Sequence, residues 1–316
     1  MIEFIRSAIV IVIAASVYAV YQYITRKKAR DLASKVPIPD HLGIHYSSPL
    51  KHSVKALKMA LTEDYQSNIK TRYLAEHPKT DEAVYNHYFF EMQRFLLLCS
   101  VVKNVPMFSE KTDELWHEMI MFTKDYETFC HQFCGQLIHH TPNSKKKADP
   151  SGRAWFDLLY TELFKHTEYS NYVWGRFFQS PLSKETINDF HNLSHSELSK
   201  KYFRKNANKE LVYAMIESLK RKMMVNVNRT RQKYTPKHIK DPIRHADKMA
   251  EAMIFTSYKY PYDYDNQMKV VYGLQPVVYS FPTTKKKKSN SSDCSSCSSC
   301  SSYSDSSCSS GCGGGD

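Results

Sequence analysis

The chain has 316 residues, 42% of them hydrophobic and 13% aromatic, which is ample for a core and excludes a wholly disordered protein. Only three of its eight cysteines lie before the tail, which excludes a disulfide-stapled scaffold. The net charge of +12 is concentrated: residues 200–248 hold fifteen Lys/Arg against four Asp/Glu, a net of +11.

Ser7 to Ile24 carries no charge. As a helix it spans ~27 Å, close to the thickness of a hydrocarbon core. Tyr21 and Tyr23 sit where an interfacial aromatic belt lies, and Arg26, Lys27, Lys28, Arg30 and Lys35 follow. The positive-inside rule then predicts a single-pass membrane protein, with a transmembrane helix over 7–24, the N-terminus outside and the bulk cytoplasmic. A cleaved signal peptide is the competing reading, with a site at Val17-Tyr18-Ala19. The weak n-region and the basic run after the apolar stretch disfavour it.

Pro37, Pro39 and Pro49 mark residues 25–50 as a connector. A first helical domain is expected over 51–142. Val54, Leu57, Leu61 and Tyr65 share one helix face up to His77-Pro78. Thr80 to Glu82 can cap a helix through Tyr88, Met92, Phe95, Leu96 and Cys99. Ser109 to Asp113 start another helix, and Thr123 a third that Gly135 stops. After a polar linker, a second helical block is expected over 153–282, packed on the first. It includes starts at Ser183 and Ser194, the latter a capping box. Leu211, Val212, Met215, Ile216, Leu219 and Met223 form a stripe at helical spacing. Tyr258, Tyr260, Tyr262 and Tyr264 alternate at period two, and Val270 to Tyr272 and Val277 to Tyr279 flank Gly273 to Pro276, which fits a small β-hairpin near 268–281 or an extended strap over the helices. Residues 283–316, rich in Ser, Cys and Gly, have nothing to fold with and are expected to be disordered. The fold class is all-α: a multi-helix body on one N-terminal transmembrane helix.

Residues 113–142 concentrate the side chains able to carry chemistry. Asp113 and His117 are four apart and share a helix face, where a carboxylate can fix an imidazole tautomer. Cys130, His139 and His140 follow. Brought together, these five offer N, O and S ligands to zinc or another transition metal. The structural alternative makes Trp116, Tyr126 and Phe129 core and leaves the histidines hydrogen-bonding at helix ends. The spacing matches no paired CxxC site. In the tail, Cys294, Cys297 and Cys300 stand at CxxCxxC spacing, which suits soft metals if a fold supports them. The basic segment, through Lys220, Arg221, Lys222, Arg229, Arg231 and Lys233, is either a solvated face or a contact for anionic lipid headgroups at the leaflet. Nucleic acid is disfavoured because no binding motif is visible.

Arg94-Phe95-Leu96-Leu97-Leu98, Asp113-Glu-Leu-Trp116-His117, Ile120, Thr123, Tyr126, Phe129-Cys130, Gly135 and His139-His140-x-Pro142 resemble the signature of the glycine-rich domain-containing protein-like family. The resemblance covers about residues 85–142, with a weaker likeness in the tail, which here is serine-rich. It implies a mostly helical fold and an interaction role, and it supplies no reaction. The expected function is therefore a membrane-anchored, non-catalytic interaction or scaffolding protein on the cytoplasmic face, with a protein partner. The alternative is a metal-binding enzyme or sensor built on the cluster in 113–140.

Overall fold

A computed structural model describes residues 2–45, 48–139, 149–229 and 237–275. Thirteen α-helices account for most of these residues, with no strand among them and two isolated bridges, Ile44 with Phe164 and Val102 with Phe203. The all-α expectation holds for this region.

Helix α1 (Ile2–Lys35) runs unbroken past the end expected at Ile24. Nothing between Ile24 and Lys35 breaks a helix, and Pro37 is the first residue that does. The helix is long and apolar enough to cross a membrane. Its two halves differ sharply. Phe4, Ile11, Val17 and Tyr23 are exposed, whereas Ala29 is buried. The second half packs on two body helices, α4 (Glu82–Val101) and α8 (Glu168–Trp174). Tyr172 donates to the Thr25 carbonyl at 3.3 Å, and Arg30 pairs with Asp81 at 2.6 Å.

The connector contains a left-handed turn. His41, Leu42 and Gly43 have φ of +49°, +57° and +58°. The amphipathic stretch from His52 to Glu76 forms two helices, α2 (Ser48–Ala60) and α3 (Glu63–Glu76), rather than one. Thr62 is extended, and its hydroxyl accepts from the Tyr65 amide at 3.3 Å, which restarts the helix.

Helix α4 is the centre of the body. It is apolar almost all round and packs against α1, α2, α3, α8 and α5 (Glu110–Met121), as expected of a fully enclosed helix. Ser109 caps α5 through the Thr112 amide. Gly135, at φ +72°, ends α6 (Thr123–Cys134) in the left-handed conformation that glycine adopts without strain. Asp149 caps α7 (Pro150–Leu163), and Thr167 and Ser170 form a capping box on α8. Ser183 starts α9 (Lys184–Asn192), Ser194 starts α10 (His195–Tyr202), and α11 (Lys209–Arg229) buries the stripe from Leu211 to Met223. Helix α12 (Ala246–Lys259) packs on α7, α9 and α11, and α11 on α2. The described residues thus belong to one compact unit in which both expected blocks share a core.

The expected hairpin is corrected on its first arm. Residues 264–271 form α13 (Tyr264–Val271), with Tyr264, Met268 and Val271 buried at i, i+4 and i+7. The tyrosine alternation straddles the end of α12 and the start of α13, so its period belongs to no single element. The second arm, Val277 to Tyr279, and the tail lie outside the described residues.

Trp116 is buried against Phe95, with ring centroids 5.4 Å apart and the rings edge-on. Its indole N–H donates to Tyr126 Oη at 2.9 Å, which donates to the Ile138 carbonyl at 2.5 Å. This relay ties α5, α6 and the segment after Gly135 together. Trp116→Ala is expected to cost ~3–5 kcal/mol. Tyr126→Phe, which strands a buried N–H and a buried C=O, is expected to cost ~1–3 kcal/mol. Urea unfolding of each variant followed by far-UV circular dichroism measures both.

Candidate functional site

Of the cluster expected in 113–140, the described members Asp113, His117, Cys130 and His139 are not grouped as a ligand set. Asp113 and His117 lie on α5, where His117 is exposed and Asp113 partly so, while Cys130 is buried on α6 and His139 is exposed beyond Gly135. Among the described residues no three His, Cys, Asp or Glu side chains are grouped to hold a metal ion. Helical spacing puts Cys130 on the same inward face as Tyr126 and Phe129. Burial pushes the Cys130 thiol up, away from the thiolate that metal ligation needs. The tail cysteines Cys294, Cys297 and Cys300, together with His140, lie outside the described residues.

Part of the basic segment is committed within the fold. Lys222 is only 14% exposed and pairs with Glu162 at 2.6 Å and Asp247 at 3.3 Å. Arg229 pairs with Glu251 at 2.7 Å, and Lys220 donates to the Leu193 carbonyl. Arg221 is exposed. Arg231 and Lys233 lie outside the described residues. A charge count treats all six alike. The fold uses Lys220, Lys222 and Arg229 to join α11 to its neighbours.

The most concentrated polar chemistry lies elsewhere, on α4, and sequence reasoning missed it. Glu91 and Arg94 are both 0% exposed. Arg94 Nε donates to the Leu42 carbonyl at 2.8 Å, and Nη1 donates to Tyr160 Oη at 2.6 Å, with Glu91 Oε1 at 3.3 Å. Tyr160 Oη donates to Glu91 Oε2 at 2.6 Å, Ser170 Oγ to Oε1 at 2.9 Å, and Trp174 Nε1 to Oε2 at 2.8 Å. Phe90 and Phe164 flank the guanidinium, their ring centres 4.2 and 5.2 Å from Cζ. A Cβ on Gly43 would lie 2.5 Å from Arg94 Nη2, so glycine is required there by space as well as by φ. One clue was in the sequence. Two opposite charges three apart in an otherwise apolar helix mark an internal pair.

A second polar layer sits beside it. Arg153 Nε donates to Asp157 Oδ1 at 2.7 Å, and the Phe178 amide donates to Oδ2 at 2.7 Å. Phe178 has φ +58°, and its short bond to Asp157 holds it there. His166 packs on Phe177, with ring centroids 4.4 Å apart, and its Nε2 lies 2.9 Å from Thr161 Oγ1. Burial, then the nearby Arg94 and His45, hold the His166 ring down to about 3. Burial, only partly offset by Arg153, pushes the Asp157 carboxyl up to about 6. Most of these groups meet a partner within the core, whereas Arg94 Nη2 has no hydrogen-bond partner among the described residues. No nucleophile with an activating base stands among these groups.

The buried groups tie stability both to charge pairing and to pH. Arg94→Met leaves Glu91 buried without its cation and is expected to destabilise by ~3–5 kcal/mol. Adding Glu91→Leu to that variant should recover part of the loss, read by thermal melting of the single and double variants. The unfolded chain takes up a proton at His166 near the ordinary value of 6.5, which the folded ring refuses down to about 3. Stability from the neutral ring is therefore full above ~6.5 and falls as the pH drops. Asp157 acts with the opposite sign. Its folded carboxyl holds a proton up to about 6 against 3.8 unfolded, so its contribution is present in acid and lost as the pH rises through that value. Between ~pH 7 and ~pH 5, His166→Gln should shrink the loss of stability and Asp157→Asn should enlarge it. Urea unfolding at both pH values provides the measurement.

Residues 55–154, about a third of the chain, match the model of an uncharacterised family described as UCP032817-like. That stretch runs from α2 into α7 and includes Glu91, Arg94, Trp116 and Tyr126. The description names no glycine-rich domain. No curated protein matches the chain, and no solved structure does.

Proposed function

We propose that the protein is a membrane-anchored, non-catalytic interaction or scaffolding protein. In this reading the apolar half of α1 spans the bilayer once, the N-terminus lies outside and the helical body faces the cytoplasm. The observation that carries it is the division of α1. One half exposes a sleeve of Ile, Val and Tyr with no cover from the body, and the other half docks on α4 and α8. An exposed apolar sleeve of this length costs free energy in water and gains it in hydrocarbon. The orientation rests on Arg26, Lys27, Lys28, Arg30 and Lys35, which follow the apolar half directly.

The non-catalytic part is supported by the buried polar groups, most of which bond to one another inside the core. The likeness of residues 85–142 to the glycine-rich domain-containing protein-like family adds an interaction role, with a protein as partner. Contact with anionic headgroups is a lesser part of the proposal. It falls chiefly to Arg221 and to Arg231 and Lys233, since Lys222 and Arg229 are already paired. Each basic residue close to an anionic leaflet adds up to ~1 kcal/mol.

The docked half of α1 sets the test. Deleting residues 1–24 should release a folded body from membranes into the soluble fraction, with the melting temperature of the full chain in detergent nearly retained. Deleting residues 1–36 should also remove the packing on α4 and α8 and lower that temperature. Full-length protein that washes off membranes in alkaline carbonate would overturn the anchor. Reporter fusions after residue 50 that read out on the far side of the membrane would overturn the orientation.

A further inference from the structure

Helices α10 and α11 meet through the segment 203–208, and a pocket of about 560 Å³ opens at that joint. The joint is firmly built. The Arg204 amide donates to the Val101 carbonyl at 2.9 Å, and the Lys103 amide to the Tyr202 carbonyl at 3.0 Å. These bonds clip the end of α4 to the end of α10 around the Val102–Phe203 bridge. The side chain of Asn208 caps α11 through the Leu211 amide at 3.0 Å. His195 stacks on Tyr213 across the two helices, with ring centroids 4.9 Å apart.

The lining has two characters. Phe203, Val212 and Ile216, all buried, give an apolar floor, and Lys103, Lys200, Arg204, Lys205 and Lys209 give a basic rim. None of the described lining residues is acidic. His195, at the edge, is engaged by Glu217. Elsewhere on the basic surface, Lys201, Lys222 and Arg229 are each matched to a carboxylate. Lys103 and Arg204 donate to the Lys200 and Val102 carbonyls, but among the described residues none of the five cations meets a carboxylate, and like charges around one opening repel one another, an arrangement that an anion relieves. The volume lies in the range of small-molecule pockets, roughly 300–1,000 Å³.

We infer that this pocket binds a small amphiphilic anion: a phosphate or carboxylate held by the rim, on an apolar body seated over Phe203, Val212 and Ile216. The inference stands on the lining alone and is independent of the membrane reading. A fixed apolar floor beside unneutralised cations recognises both ends of such a molecule. Inorganic phosphate meets only the rim, and a neutral alcohol only the floor.

The test uses the full chain in nanodiscs of phosphatidylcholine, with isothermal titration of hexyl phosphate, methyl phosphate and 1-hexanol. Hexyl phosphate should bind at least about tenfold more tightly than methyl phosphate, since each buried methylene adds roughly a few-fold. Empty nanodiscs give the background to subtract. Lys205→Glu/Lys209→Glu, at two exposed positions, should weaken hexyl phosphate at least about tenfold. Lys184→Glu, on α9 and outside the lining, should leave binding unchanged. Hexanoate in place of hexyl phosphate tells a carboxylate site from a phosphate site, and binding of either one sustains the inference. It is overturned if neither binds above background, if methyl and hexyl phosphate bind alike, or if the double variant binds as wild type does.

Discussion

The guanidinium of Arg94 sets the constraint on which the rest of the body depends. A cation with no exposure must find its partners inside the protein, because an unpaired buried charge costs more than a domain's net stability allows. Those partners come from far apart: the Leu42 carbonyl before α2, Glu91 on α4 itself, and Tyr160 on α7. Ser170 and Trp174 on α8 then complete the shell of Glu91. The group therefore fixes where the connector, α7 and α8 stand relative to α4. Its contribution is chiefly to specificity, since a well-packed apolar substitute for the whole set can be as stable. The left-handed turn at His41 and Leu42 is consistent with this. Each residue there carries roughly 1–2 kcal/mol of backbone strain, and the turn presents Leu42 O to Arg94.

The same helices hold the N-terminal helix. Helix α8 turns Ser170 and Trp174 inward to Glu91 and Tyr172 outward to the Thr25 carbonyl. Helix α4 contributes Glu91 and Arg94 to the core and packs its outer face on α1. The seat of α1 and the buried ionic group are thus two sides of one layer. A change that loosens Arg94 acts on the docking of α1 without touching it.

Much of this was legible in the sequence, for identifiable reasons. The caps at Ser109, Ser183 and Ser194 and the stop at Gly135 are local chemistry, decided within four residues. The stripe on α11 is a period, and periods survive folding. The break at Thr62 was hidden because the apolar spacing continues across it. The first arm of the hairpin reading, Val270 to Tyr272, falls at the end of α13, because an apolar run this short carries no period that tells strand from helix. The cluster in 113–140 was proposed from proximity along the chain, whereas helix geometry turns Cys130 inward and leaves His117 and His139 at the surface. Glu91 and Arg94 could have been paired from their spacing. Tyr160, Ser170 and Trp174 could not, because their partnership exists only across 66 to 83 residues of chain.

That separation bears on the order in which the protein can be made. The turn at Leu42 and helix α4 leave the ribosome long before Tyr160, Ser170 and Trp174 exist. Until then Glu91 and Arg94 lack most of their neutral partners, and enclosing them is unfavourable. The first hundred residues are thus expected to stay loosely collapsed, with α4 partly hydrated, through most of translation. Closure waits for α8, so the amino-terminal half settles only when the chain has passed its midpoint.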